Sequence, residues 1–502
     1  MLQTKGSEMK LASYSMQMTR ENEQSHFIIR MFIPEHLDSI VVSFSYQPEK
    51  EENQAVIDSI IKEQGDLYNL NQQEKESISS LRNLITLSVT DPVGYRGSCH
   101  RFETTQTVRL AAGGSTPGML NRSIKSGMWD FAFNMHAVVT ETCQLDIQIK
   151  GFHEKATNRR WFQSPFEKLE KKKHYQLGPI ESNASHTYLK GEIHTHTNHS
   201  DGGQTVEELV GGAKAQNIDF LAITDHNTMS ATEQIASLAN THQVKLIRGM
   251  ELTTFYGHFL TLGYQDDQAE NWVEMGPSTL EETLVKMKDQ GVLVGIAHPY
   301  SPGTPFCTGC HWEYELKKLD FVDFIEVWNS DDPHLSPTNI EAFQLWTRLL
   351  NDGHQISATC GRDWHVQHTD KQVAYLFAYL PQKPTEQEIL RAIQNGHTYI
   401  SCGPELEFTA NNRYIPGMTL LLDEKESSIR IGVAIKQMDE KHKVVIESNN
   451  GTVLESKDHE LSHLIEESED LKWLRVSIFD DAHVRVAFTN PIYIEDSNQR
   501  EL

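Results

Sequence analysis

Five short apolar segments between Tyr188 and His365 each stop at a residue of the metal-binding type. "YLKGEI" runs into His194 and His196, "FLAIT" into Asp225 and His226, "LIRGM" into Glu251, "VLVGIA" into His298, and "ISATCGR" into Asp363 and His365. Segments of helical period alternate with them; "VEELVGGAKAQN", for example, sets Val206, Leu209, Val210 and Ala213 on one face. This rhythm predicts a parallel α/β unit, plausibly a barrel, in which the carboxyl ends of the strands converge on one face. Residues distant in sequence then meet. A polar surface turn is the ordinary fate of a lone histidine, and His242, His334, His354, His397 and His459 are read that way, but coincidence does not recur at five strands.

The residue types fit one task. Neutral imidazole and carboxylate bind Zn, Mn or Fe in the divalent state, and a carboxylate bridges two ions. His194 and His196 lie two apart on an extended chain and point to the same side, with Thr195 facing the other way. His199, on the turn before Asp201, is read as a neighbour of the ligands and a pocket residue. Cys307, Cys310 and His311 spell CTGCH, the c-type haem attachment pattern, which is taken as a chance match because neither export nor an axial partner is signalled.

"HTHTNHSDG", "ITDHNT", "GMEL" followed by "GHFLTLG", "AHPY" and "GRDWH" together resemble the PHP (polymerase and histidinol phosphatase) superfamily of metal hydrolases. "DPVGYRG", "STPGM", "SGMW" and "AFTNPIYI" further resemble its carbaryl-hydrolase-like (CehA/McbA) branch. The resemblance implies an α/β fold, a distorted (β/α)7 barrel flanked by N-terminal and C-terminal β-sandwich-like domains, and two or three divalent ions (Mn, Fe or Zn). His194, His196 and Asp363 would hold the first ion. Glu251 would bridge to a second held by His258 and His298, and Asp201, His226 and His365 would hold a third. Asp225 is then an orienting neighbour of His226.

The flanks read differently from the centre. From Phe27 onward, alternating segments such as "SIVVSFSY", "LITLSVTD" and "CQLDIQIKG" predict a β-rich unit, and strands return after Glu405 with "IRIGVAIKQ" and "LRVSIF". The expected division is a flexible N-terminus over 1–26, a β-rich domain over 27–184, the metal-hydrolase barrel over 185–403 and a β-sandwich over 404–502. A chain of 502 residues exceeds what one core usually supports. The 45 Lys and Arg against 70 Asp and Glu leave a formal charge of −25, which disfavours long nucleic acid; the basic run "EKLEKKKHY" at 167–175 reads as a solvated linker. No apolar stretch approaches a membrane span and no secretory signal is visible, so a cytoplasmic location with reduced thiols is expected.

The function expected is metal-dependent hydrolysis of a small-molecule ester by a metal-bridging hydroxide. No G-x-S-x-G elbow offers a competing nucleophile. Phosphoester and carboxyl ester or carbamate substrates both remain open, as does a non-catalytic metal-binding scaffold. The candidate catalytic residues are Asp363, His226 and His365, the histidines as acid or base, and Arg362 as a phosphate contact. Loops that follow the ligands supply Tyr300 and Asn329, with His199, as candidate substrate contacts. No membrane partner is expected, and a homo-oligomer is open.

Overall fold

The computed structural model describes residues 7–64, 68, 70, 72–153, 186–266, 269–316, 319–367, 370–422, 428–438, 441–466 and 470–496. The basic run at 167–175 lies outside them. Among the described residues no helix is long and apolar enough to cross a membrane.

Seven strands make up the central unit: His186–Glu192, Phe220–Ile223, Lys245–Thr254, Gly257–Leu262, Leu293–Ile296, Phe324–Asn329 and Ser357–Gly361. They are hydrogen-bonded in sequence order. Six of them carry wholly buried runs such as "FLAI" and "LVGI", as strands covered on both faces do, while His186–Glu192 buries only its last two residues. Between them run the helices Val206–Ala215, Ile235–His242, Leu280–Asp289 and Pro337–Asn351. Val206–Ala215 starts at Thr205, whose side chain accepts from the Glu208 amide in a reciprocal capping box, and it buries the four residues read from its period.

The expected distorted (β/α)7 barrel is not what the chain closes, and its alternation of strand and helix is broken at one strand. Thr254 pairs with Gly257 across a two-residue turn, so Gly257–Leu262 runs antiparallel to both its neighbours with no helix before it. That turn depends on Gly257, at φ +147°, where a Cβ would lie 2.8 Å from the Trp312 ring. The reversal has a functional consequence, because it sets His258 opposite Thr253, beside Glu251. Nor does the ring close by a full strand pair. The free edge of His186–Glu192 is taken by Tyr375–Pro381, leaving contact with the last strand only beyond the strand ends. There the Trp364 amide donates to the His194 carbonyl at 3.1 Å and the His196 amide to the Trp364 carbonyl at 3.0 Å.

The flanking segments are sheets, and their limits differ from those expected. Ser7–Met18, read as flexible, is an edge strand paired with Cys143–His153. Its alternation of polar and weakly apolar residues leaves most of it exposed, and so it gives little sign of a strand in sequence. Two four-stranded sheets face each other in the N-terminal segment over Ile40, Val42, Phe44, Leu87, Val89, Phe131 and Phe133, and Trp129 is buried in this core. At the other end, the sheet of the central unit crosses the expected boundary at 403/404, because Thr398–Ser401 pairs with Arg485–Thr489. The strands Glu405–Ala410, Ser428–Lys436 and Glu460–Glu466 form a second layer, and Phe408, Ile431, Val476 and Ile478 fill the space between.

The N-terminal sheets dock on the central unit through buried contacts. The Tyr95 hydroxyl donates to the Asn227 carbonyl at 2.9 Å, the Trp272 indole to Ser88 Oγ at 3.0 Å, and the Gly118 amide to Ser230 Oγ at 2.9 Å. Tyr95 and Leu120 also share a core with Met250, Leu252 and Phe259.

Two glycines test this packing in opposite directions. A Cβ on Gly295 would lie 1.9 Å from the Phe324 ring, so Gly295→Ala is expected to lose about 1–3 kcal/mol by overpacking. Gly211, inside Val206–Ala215, has nothing within 4 Å of a Cβ, and Gly211→Ala is expected to gain about 0.5–1 kcal/mol. Denaturant midpoints measured side by side check both signs.

Candidate metal centre

Glu251 is fully buried near the end of Lys245–Thr254, and five imidazoles surround its carboxylate. Its Oε2 lies 3.3 Å from His194 Nε2, 3.3 Å from His196 Nε2 and 3.0 Å from His226 Nδ1. Its Oε1 lies 2.8 Å from His258 Nδ1 and 3.0 Å from His298 Nε2. Asp363 Oδ1 stands 2.9 Å from His196 Nε2, 3.4 Å from His194 Nε2 and 3.4 Å from His365 Nδ1. Asp201 Oδ1 stands 3.2 Å from His365 Nε2 and 3.6 Å from His226 Nε2. The side chain of Thr195 points away, donating to the Ala222 carbonyl at 2.7 Å.

Their ligand atoms fall into groups within 4.8 Å: His194, His196, Glu251 and Asp363; His196, Asp201, His226 and His365; His226, Glu251 and His258. Several of these atoms are buried without a hydrogen-bond partner, among them His194 Nε2, both ring nitrogens of His196, Asp201 Oδ1, Glu251 Oε2 and Asp363 Oδ1. Orphaned buried donors and acceptors are costly and rare. Nitrogen and oxygen ligands sit about 2.0–2.2 Å from a divalent ion, so pairs sharing one ion are separated by spacings like those seen here. The residues therefore fit divalent ions, and the chemistry of the set suits Zn, Mn or Fe.

Electrostatics agree with a site arranged around positive charge. Burial alone would raise the Glu251 carboxyl, but His226, His194 and His258 outweigh it and hold it well below the usual range. Asp363 behaves likewise under His194 and His365. Burial lowers His365, yet Asp363 and Asp201 overcome this and lift it to about 10. The backbone is also set against its preferences here: His298 has φ +25° and Asp363 φ +54°, conformations that cost non-glycine residues about 1–3 kcal/mol.

Neighbouring groups orient the ligands. Asp225 accepts from the amides and hydroxyls of Thr197 and Ser200, which fixes the turn carrying Asp201. His226 Nδ1 lies 2.6 Å from Thr253 Oγ1. Two acids escaped the sequence reading. Glu326, fully buried inside "FIEVWN", accepts from His194 Nδ1 at 2.9 Å, and the Nε2 of that ring faces Glu251 and Asp363. Glu192, lifted by burial to about 7, accepts from the amides of His194 and Arg362. The available signal was an acid within an otherwise apolar strand, which burial obliges to find a partner. His100 was also missed; it comes from the N-terminal sheets, and its ring centroid is 4.7 Å from that of His226. Burial, with His226 nearby, lowers it to about 3.

A cavity of about 310 Å³ opens onto the cluster, lined by Asp201, His226, Glu251, His258, His298, Asp363 and His365 and walled by Arg82, Leu84, His100, Phe102, Ala137, Phe306 and the 307–310 loop. Four expected contacts do not line it. The Arg362 guanidinium lies over the Trp364 ring at 4.7 Å and its Nε donates to Asp331 at 3.2 Å. His199 is held by Ser230 Oγ at 2.7 Å and Gln234 Nε2 at 3.1 Å. Asn329 donates its amide to Glu326 at 3.1 Å, and the Tyr300 hydroxyl is 3.4 Å from Arg348 on Pro337–Asn351. Each side chain is held by a nearer partner. The reduced thiols expected throughout give way at Cys307 and Cys310, which form a disulfide beside the cavity; His311 packs near Tyr68 instead.

A model of the PHP domain matches residues 192–300. An uncharacterised protein of Methanocaldococcus jannaschii is 34% identical over 125 residues, covering 23% of this chain and 70% of that protein. A 5'-3' exoribonuclease of Haemophilus influenzae is 35% identical over 65 residues, 13% of this chain and 24% of the enzyme. Among solved structures, a two-domain protein of Bacteroides vulgatus described as containing a PHP-like metal-dependent phosphoesterase aligns over 67% of this chain and 100% of its own, at 16% identity and a TM-score of 0.38.

Two measurements probe the centre. Glu326→Gln keeps an acceptor for His194 and removes the charge, and is expected to weaken metal affinity about 10–100-fold, read by competition with a chromophoric chelator. His365, near 10 without metal, is protonated at pH 7 and must shed that proton to bind an ion. Metal uptake is thus expected to release protons and to tighten as pH rises toward 10, measured calorimetrically in buffers of different ionisation enthalpy.

Proposed function

We propose that this chain, whose residues 192–300 match the PHP domain, is a metal-dependent hydrolase that cleaves a phosphoester of a small molecule. The observation that carries the reading is the convergence of nine metal-type side chains, His194, His196, Asp201, His226, Glu251, His258, His298, Asp363 and His365, around buried unpartnered atoms at one end of the cavity. His194, His196 and Asp363 would hold one ion, His258 and His298 a second with Glu251 between the two, and Asp201, His226 and His365 a third. Divalent ions in such a site acidify water and polarise the scissile oxygen.

The chain's own residues supply the rest. Glu326 fixes the His194 tautomer, and Thr253 orients His226. Where two ions bind, the partly exposed His365 stands between Asp363 and Asp201 as a proton donor to the leaving group. Leu84, Phe102, Ala137 and Phe306 keep the approach apolar, which strengthens the electrostatics inside. The 310 Å³ volume suits a small substrate.

The same walls favour a second reading. Because Arg362 is engaged with Asp331, the described residues lining the cavity include a single arginine, Arg82, and an uncharged carboxyl ester or aryl carbamate is accommodated by the apolar surface. A panel of chromogenic phosphomonoester, phosphodiester, carboxyl ester and aryl carbamate separates the two. The phosphoesters are expected to turn over in protein carrying at least two metal equivalents, with hydrolysis abolished by chelation or by His196→Ala. Turnover confined to the carboxyl ester or carbamate would select the second reading, and turnover that survives His196→Ala would sink both.

A further inference from the structure

We propose that a second cavity, between the helix Pro337–Asn351 and the C-terminal strands, binds a small organic anion: an apolar, ring-sized body carrying a carboxylate, sulfonate or phosphate group. The cavity encloses about 720 Å³, within the range of small-molecule sites, and shares no lining residue with the cavity over the metal cluster.

Charge is the first observation. The chain carries 70 Asp and Glu against 45 Lys and Arg, yet the lining of this cavity includes Arg348, Arg475 and Arg485 and no carboxylate. Arg475 Nε donates to Glu447 Oε2 at 2.9 Å, and Arg485 Nη2 donates to Glu447 Oε1 at 3.2 Å. Ser477 Oγ donates to Glu447 Oε2 at 2.6 Å while accepting from Arg485 Nε at 3.1 Å. One carboxylate thus stands against two guanidiniums whose side chains are only 3% and 21% exposed. The surplus positive charge is poorly reached by water, and a bound anion relieves it. Burial, opposed by Glu447 and compounded by Arg475, lowers the Arg485 guanidinium to about 10. Asp332 and Asp480, the acids that act on His334 in the lining, accept from backbone amides outside the cavity.

The second observation is how the guanidiniums are held. Arg485 Cζ lies 3.8 Å from the Phe343 ring centroid and 4.8 Å from that of Phe479, and Arg475 Cζ lies 4.3 Å from Phe343. Stacking on rings fixes the plane of a guanidinium without using its N–H donors, which suits it to paired hydrogen bonds with a planar acid group. Arg348, exposed on Pro337–Asn351, adds a third cation. Trp328, Phe343 and Phe479 supply apolar wall, and Leu335 and Ile340 in the same lining are 58% and 50% exposed. An anion with an apolar body covers these surfaces, whereas a bare inorganic ion does not. Trp328 comes from the strand that also carries Glu326, and the bulge between the two re-aims the chain, so that one residue serves His194 and the other this cavity.

The test uses the full chain and naphthalene-2-sulfonate, an anion with an aromatic body and no ester bond. Titration calorimetry is expected to show the sulfonate bound at one equivalent, and the uncharged 2-naphthyl methyl sulfone bound at least about tenfold more weakly. Arg485→Gln is expected to weaken the sulfonate about tenfold. Because Arg485 also braces Glu447, the surface variants Arg348→Ala and Ile340→Glu carry the same expectation without touching that network. His196→Ala, in the metal cluster, is expected to keep this binding. No binding at millimolar sulfonate, equal binding of the sulfone, undiminished binding in both Arg348→Ala and Ile340→Glu, or binding lost in His196→Ala each overturns the assignment.

Discussion

A carboxylate buried this deeply needs polar partners, and five imidazole nitrogens from four different chain segments surround Glu251. That requirement organises the centre of the molecule. Strand ends must meet on one side so that His194, His226 and His298 reach a common point, and a strand must turn back on itself so that His258 reaches the same carboxylate. The bond pair between Trp364 and the His194–His196 backbone then brings Asp363 in from the last strand. Several buried atoms of the cluster, among them His194 Nε2, Asp201 Oδ1 and Glu251 Oε2, lack a hydrogen-bond partner, a condition that bound cations would relieve.

The flanking sheets are part of this arrangement. The N-terminal sheets share a core with the central unit and deliver His100, Phe102 and Arg82 to the cavity wall. The C-terminal strands continue the central sheet through Thr398–Ser401 and Arg485–Thr489. Buried hydrogen bonds at Tyr95, Trp272 and Gly118 make the first of these junctions specific. The cavity wall is therefore composite, built partly from residues far in sequence from the histidine and carboxylate cluster.

Much of the site was legible because its chemistry sits at strand ends, where a histidine or acid breaks an apolar run and can be seen. His194, His196, His226, Glu251, His298, Asp363 and His365 are all of this kind. Glu326 was not, because it lies within its strand and only the packing of His194 against it reveals a role. Arg362, His199, Asn329 and Tyr300 were placed by proximity in sequence to ligands. Side-chain direction decided otherwise: Trp364 and Asp331, Ser230, Glu326 and Arg348 each claim them. The strand Ser7–Met18 was illegible because an exposed edge buries too little to impose an apolar pattern.

What the sequence by itself determined is the inventory of candidate ligands and the alternation of strand and helix that presents it, since both follow from local residue type and period. What only the tertiary structure decided is how the sheet ends and what walls the cavity. The antiparallel return before His258, the capture of the first strand's edge by Tyr375–Pro381, and the arrival of His100 from another sheet are competitions between distant segments for the same hydrogen-bonding edges and the same apolar surface. Such competitions are settled by the free energy of the whole packed chain, and no local stretch of residues carries their outcome.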